Sequence, residues 1–341
     1  MKAGVYYGTG DIRIEDMPLP EIGDEEALVQ VKSCGLCGTD LQKYLHGLVE
    51  PGVVLGHEVA GNVVEAGEKV SRLGAGDRVI VPHHIPCFVC RFCRHGNHTM
   101  CEAFKPTRIS PGGFAEFIKV AGPSVSKGML KIPDEISYDE AALVENTACC
   151  LRALEKCRLL PGDCVVVVGA GPAGLIHIQL SRALGAGKVL ALDLLDWRLE
   201  VAKRMGADVV LNARNDDVVA AVKEETGGLG ADVVMVAVGS TKALAQAISL
   251  ARKGGVVNFF AECPPGSSLK IDPNIIYGSE IILLGSYSST PLELKSALEL
   301  IHSGRIDVAG LISHRLKLEE LKRAFDLASQ RKEALKIIIN P

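Results

Sequence analysis

The sequence predicts an α/β fold in two parts: a parallel sheet covered by helices, and a smaller unit of short strands. Three observations predict it. From Cys164 onward, apolar runs alternate with amphipathic helical segments. Before about residue 147, short alternating runs are broken by Gly and Pro. Between the first apolar run and the first helix of the later part lies a glycine-rich string. The length of 341 residues suits roughly two domains at about 150 residues each. Such a chain buries about three quarters of its unfolded surface.

In chain order, Met1 begins a strand-like MKAGVYY with no apolar leader before it. Ala27–Val31, Val59–Val64 and Arg78–Val81 follow as short strands. Around residue 139 the texture turns helical, in YDEAALVENTACCLRALEKC, and LLPGD at 159–163 marks a turn. Buried strands are expected at Val165–Val168, Val189–Leu192, Val209–Leu211, Val233–Val236, Val256–Phe260 and Ile281–Leu284. Helices are expected between them at Leu175–Leu184, Arg198–Met205, Val218–Thr226 and Lys242–Leu250. The tail from Pro291 holds two helical segments and a last strand, Leu335–Ile339.

Composition narrows the function. Apolar residues make up 48% and charged residues 23%, which excludes disordered, fibrous and collagen-like chains. The net charge of −4 speaks against nucleic acid or an anionic membrane as partner. The stretch Cys164–Ser181 is uncharged over 18 residues, a membrane-length run, but its glycines and Pro172 make a turn the better reading. Eleven cysteines, an odd number, fit metal ligation in a reducing cytoplasm better than a secreted disulfide scaffold.

Gly169-Ala-Gly171-Pro172-Ala173-Gly174 matches G-x-G-x-x-G and sits between the VVVV strand and a helix. There the glycines allow a tight turn and close backbone approach to a pyrophosphate, which the helix N-terminus attracts. Asp193, nineteen residues beyond Gly174, stands where a carboxylate accepts hydrogen bonds from an adenosine ribose. It would repel a 2′-phosphate, so NAD is favoured over NADP. Arg198 is the countersignal, because a basic group nearby could hold that phosphate.

Cys87, Cys90, Cys93 and Cys101 form C-x2-C-x2-C-x7-C. Four thiolates so close in sequence can wrap one tetrahedral Zn²⁺ with no open position, a structural site. An iron–sulfur cluster is the competing occupant. His95 and His98 are expected to be solvated loop residues. Cys37, His57 and a carboxylate would make a mixed sulfur, nitrogen and oxygen set with one position left open, as in a catalytic zinc site. Cys34 and Cys37 alternatively form a C-x-x-C redox pair, without the usual strand–helix context. Spacing alone does not link residue 37 to residue 57.

With these motifs together, the chain resembles the zinc-dependent medium-chain alcohol dehydrogenases, above all their polyol (sorbitol-type) and L-threonine dehydrogenase branches. The likeness rests on CGLCGTD at 34–40, GHEVAGNVVEAG at 56–67, GDRV at 76–79, the four-cysteine run, PGGFAEF at 111–117, and GAGPAG with Asp193. It implies a GroES-like β-barrel catalytic domain over 1–147 and 287–341, and a Rossmann domain over 148–286. It implies Cys37 and His57 as ligands of a catalytic zinc. Glu58 becomes a ligand or its neighbour, and Glu145 a glutamate that reaches the zinc or its water. Thr39 becomes the hydroxyl that bonds the substrate oxygen. Asp193 and Arg198 become ribose contacts, with Ala173, Phe260, Ala261, Glu262, Gly285 and Ser286 lining the cofactor. Two departures stand out: Asn146 occupies the place of a usual Pro, and Gln42 that of a frequent His in the proton-relay route.

The implied activity is NAD-dependent oxidation of a secondary alcohol, a polyol or sugar alcohol, by a homotetramer or homodimer. The rival within the class is L-threonine 3-dehydrogenase. The rival outside it is a non-catalytic zinc-binding interaction module.

Overall fold

The computed structural model describes residues 1–330 and 332–341. It divides into two compact units, one of Met1–Ala148, Ser288–Ser303 and Val308–Pro341, the other of Cys149–Tyr287 and Gly304–Asp307.

The first unit is built on a seven-stranded sheet. Its order runs Ile312–Lys317, Lys336–Asn340, Ala27–Gly35, Glu58–Ala66, Arg78–Val81 and Leu130–Lys131, with Phe117–Val120 also pairing with Ala27–Gly35. A three-stranded sheet of Asp11–Asp16, Lys2–Gly8 and Val53–Val54 lies in the same unit. Ala27–Gly35 is the central strand, and most of its residues are buried on both faces. It runs antiparallel to Glu58–Ala66, in a register that sets Gly35 opposite Glu58 and Cys34 opposite Val59. The C-terminal strand pairs along its other edge, with Ile338 opposite Gly35. A Cβ on Gly35 would stand 2.0 Å from Glu58 Oε2 and 3.1 Å from Lys336 Cε, so only glycine admits those two side chains here.

The second unit holds six parallel strands in the order Val209–Asn212, Lys188–Asp193, Cys164–Val168, Ala231–Val236, Ala251–Phe259 and Ile282–Gly285. In chain sequence that is 3-2-1-4-5-6, the doubly wound order whose switch point lies beside the first strand. Val165, Val166 and Val167 have no exposed surface, as a strand covered on both faces requires. The uncharged run 164–181 forms this strand, the glycine turn and the start of the helix Pro172–Ala183. Among the described residues no helix is long and apolar enough to cross a membrane.

The strands and helices expected from periodicity are present, with ends moved by a few residues. The helix over 198–205 starts at Asp196, and the strand over 256–260 starts at Ala251. Not anticipated were the strands Asp11–Asp16, Phe117–Val120 and Ile312–Lys317 and the helix Gly38–His46.

Asp139 ties the first unit together. It accepts from Ser33 Oγ at 2.5 Å, Arg315 Nε at 2.6 Å and Asn340 Nδ2 at 3.1 Å. Burial opposes its charge, but these donors outweigh burial and lower its pKa. A carboxyl with a lowered folded-state pKa stabilises above its unfolded pKa, and that contribution fades as pH falls through the folded value. Asp139→Asn is therefore expected to cost about 1.5–3 kcal/mol in denaturant unfolding at pH 7, the worth of a hydrogen bond to a charged group. The same measurement repeated toward pH 3 should show the difference shrinking.

Candidate active site

Cys37 follows the central strand and caps the helix Gly38–His46, whose third residue, Asp40, bonds back to the Cys37 N–H at 3.3 Å. Glu58 opens the facing strand, and His57 immediately precedes it. The register brings Cys37 Sγ, a His57 ring nitrogen and a Glu58 carboxylate oxygen all within 4.8 Å of one another. His57 is 8% exposed and Glu58 has no exposed surface.

Asp40, itself fully buried, faces His57 Nδ1 at 3.2 Å and accepts the Gly56 N–H at 3.3 Å. That contact orients the ring and leaves Nε2 for a metal, the arrangement by which carboxylates steer ligating histidines. Burial disfavours charge on both groups. The His57 ring outweighs it for Asp40, whose pKa is lowered. Asp40 and Cys37 outweigh it for His57, whose pKa is raised well above the ordinary value. A metal that enters must displace that proton.

Glu58 Oε1 accepts from Lys336 Nζ at 2.6 Å and from Asn146 Nδ2 at 3.0 Å. Lys336 Nζ also lies 2.5 Å from Oε2, yet among the described residues Oε2 has no well-directed hydrogen bond. A buried carboxylate oxygen so placed, beside a thiol and an imidazole, fits a metal ligand. Burial works against the Lys336 charge, but Glu58 foremost, with Cys37 and Glu145, raises its pKa. Glu145 is buried in the first turn of the helix Val144–Cys157 and stands outside the three-donor cluster. Thr39 is exposed in the first turn of the helix that Cys37 caps.

Sequence reasoning overlooked several neighbours. Asp40 lies inside the CGTD run but received no role. Lys336 was one lysine in an apolar strand, itself a signal, since a buried charge needs a partner. His83 and His84 extend a row of rings from His57, with centroids 5.1 Å and 3.8 Å apart. Burial pushes His83 well below the ordinary histidine value and His84 to about 4, so both are neutral near pH 7. Their Nδ1 atoms are buried without a hydrogen-bond partner among the described residues.

The thiols of Cys87, Cys90, Cys93 and Cys101 also gather within 4.8 Å of one another. The Val89 and Cys90 N–H groups point at Cys87 Sγ from 3.4 and 3.3 Å and pull its pKa down to about 6. The Cys87 N–H points at Cys101 Sγ from 3.3 Å. Burial, with the neighbouring thiols, pushes Cys93 up to about 12. Four such sulfurs suit one tetrahedral cation. His95 is exposed, and His98 lies tilted against Phe88, with centroids 5.4 Å apart.

In the second unit the glycine string turns between the strand Cys164–Val168 and the helix Pro172–Ala183, with Gly171 as its cap. Gly169 has φ +99°, and a Cβ on Gly174 would lie 1.8 Å from the Gly169 carbonyl oxygen. The turn therefore closes only with glycine, and the first N–H groups of the helix are left for an anion. Asp193 ends the next strand. Its Oδ2 accepts the Ala170 N–H at 2.7 Å, and its Oδ1 accepts those of Leu194 and Leu195 at 2.7 and 3.1 Å. Arg198 stacks over Trp197, and its Nη1 lies 3.9 Å from where a Cβ on Gly171 would be. Phe260, Ala261, Glu262, Gly285 and Ser286 follow or end the fifth and sixth parallel strands, on the same carboxyl edge as the glycine turn. Ser286 Oγ donates to Asn258 Oδ1 at 3.2 Å.

Comparison with known proteins identifies the family. Residues 23–134 match the alcohol dehydrogenase GroES-like domain, and residues 172–303 match the zinc-binding dehydrogenase domain. The sorbitol dehydrogenase of Bacillus subtilis is 34% identical over 351 residues, spanning 100% of this chain and 97% of that protein. The chain belongs to the zinc-dependent medium-chain alcohol dehydrogenases. The erythritol/L-threitol dehydrogenase of Mycolicibacterium smegmatis is 32% identical over 362 residues, covering 100% and 98%. A zinc-binding dehydrogenase structure from Sinorhizobium meliloti 1021, bound to NADP, superposes with a TM-score of 0.89 at 31% identity, covering 100% and 99%. This medium-chain dehydrogenase is therefore an enzyme, with a Cys/His/Glu metal site, and the reading as a non-catalytic zinc module falls away.

Asp40→Asn should loosen the His57 ring and weaken zinc binding about 10–100-fold, as loss of such an orienting partner does. Competition with a chromophoric chelator measures it.

Proposed function

We propose that the protein oxidises a polyol or sugar alcohol at a secondary carbinol, with NAD⁺ as hydride acceptor. The observation that carries this reading is the Cys37–His57–Glu58 donor cluster in one unit, with a dinucleotide cradle in the other. The likeness to sorbitol and erythritol/L-threitol dehydrogenases supports a polyol substrate over L-threonine. In this reading residues 1–147 and 287–341 serve the substrate, and 148–286 serve the cofactor.

Bound zinc supplies Lewis-acid polarisation of the alcohol, and the bound nicotinamide accepts the hydride. The chain's own residues supply the rest. Cys37 and His57 hold the metal, Asp40 fixes the imidazole, and Glu58 is the third donor. The Thr39 hydroxyl orients the substrate hydroxyl and passes its proton outward. Gln42 cannot ionise, so onward transfer goes to water. Glu145, buried nearby, faces the metal or its water. Cys87, Cys90, Cys93 and Cys101 hold a second, structural zinc. Gly169, Gly171 and Gly174 with Ala173 cradle the pyrophosphate. Asp193 meets the ribose, and its carboxylate disfavours a 2′-phosphate despite Arg198.

The enzyme is expected to work in the cytoplasm, where its eleven cysteines stay reduced. It is expected to form a homo-oligomer, tetramer or dimer, through the edge strand Ile282–Gly285, where Ile282 is 53% exposed.

A panel of sugar alcohols, inositols, diols and L-threonine, run with NAD⁺ and NADP⁺, tests the reading. Polyol turnover with a higher kcat/KM for NAD⁺ is expected. Turnover of L-threonine alone, or a preference for NADP⁺, would contradict it. Cys37→Ser should abolish turnover with the fold intact, whereas Cys93→Ser should chiefly lower the melting temperature. Full turnover by Cys37→Ser would remove the catalytic role of the cluster.

A further inference from the structure

Glu58 answers to two claims at once. One of its oxygens belongs to the donor cluster with Cys37 and His57. Both of its oxygens also lie against Lys336 Nζ, at 2.6 and 2.5 Å, and Asn146 adds a neutral donor to Oε1 at 3.0 Å. The pair is sealed, with side-chain exposures of 2% for Lys336 and 0% for Glu58. The ammonium also donates to the Leu36 carbonyl, at 3.3 Å. In so dry a place charge cannot be screened by water, so the ammonium and any divalent metal compete for one carboxylate.

We propose that Lys336 and Asn146 are positioning residues that keep Glu58 a weak, displaceable metal ligand. Oε1 is taken by their two donors, and the shared negative charge leaves less for a metal through Oε2. A metal held by the Cys37 thiolate, the His57 imidazole and a half-committed carboxylate keeps more of its positive charge for substrate. The C-terminal strand thereby acts on the site from the far end of the chain. Asn146 adds to the ammonium a neutral side-chain amide on the same oxygen. The clamp in this chain thus has two jaws.

The proposal rests on the Cys37–His57–Glu58 cluster being the catalytic metal site. That point is settled separately: Cys37→Ser must lower the zinc content of the purified enzyme. If it does not, the proposed function fails, and the clamp with it.

The test of the clamp uses the zinc-loaded enzyme with Lys336→Met, a side chain of similar length without charge. Release of the Cys37-dependent zinc to a chelator should slow about 10-fold, and kcat should fall by a similar factor, the scale on which groups behind a ligand act. Lys336→Arg should restore both toward wild type. In a Glu58→Gln background, Lys336→Met should change neither, because the coupling runs through that carboxylate. Zinc leaving Lys336→Met as fast as or faster than wild type would overturn the proposal. So would an equal effect in the Glu58→Gln background. If Lys336→Met does not fold, Asn146→Ala, which removes the neutral donor to Glu58, should slow zinc release in the same direction by a smaller factor. Unchanged or faster release there would overturn it equally.

Discussion

One constraint organises the first unit: a carboxylate with no exposed surface must have its charge met inside the protein. Glu58 meets it with Lys336, and much else follows from that pair. Gly35 must lack a side chain, because any Cβ would enter the Glu58 carboxylate. The C-terminal strand must return to the central strand, because it carries the lysine. An isolated buried pair of this kind often contributes little to stability, since desolvation offsets attraction. Its place beside Cys37 and His57 gives it another use, as part of a metal site whose donors come from a helix cap and the start of one strand.

The second unit solves the opposite problem. Its glycine turn suits an anion, and its means are geometric. Strand, glycine turn and helix aim backbone N–H groups at one point, and the Gly174–Gly169 contact makes the turn too tight for any side chain. Asp193 pins that turn to the end of the neighbouring strand through the Ala170 N–H while its carboxylate stays at the carboxyl edge of the sheet. Two chemistries thus sit on two scaffolds. One offers buried donors suited to a cation, and the other offers backbone dipoles suited to a phosphate.

Legibility in the sequence followed the range of the interactions. The glycine turn and the four-cysteine lobe are local, so spacing alone suggested a ligand for each. The parallel strands were legible because burial on both faces leaves nearly continuous apolar runs, as in Val165–Val168. The Cys37–His57 link was not legible from spacing. It depends on an antiparallel register twenty residues apart in the chain, and only family likeness suggested it. Lys336 lies 278 residues from Glu58 and was passed over, although a lysine in LKIII asks for a buried partner. Short strands such as Asp11–Asp16 and Ile312–Lys317 show half-exposed, mixed patterns that periodicity does not resolve. His83 and His84 became visible only once folding stacked them beside His57.

The central claim is that an alcohol reaches a metal held by Cys37, His57 and Glu58. Replacing zinc by cobalt(II) and recording the visible spectrum while a polyol substrate is added tests it most directly. The thiolate–cobalt bands that depend on Cys37 should shift with saturating substrate. Bands that stay fixed while the same substrate is turned over would contradict the account.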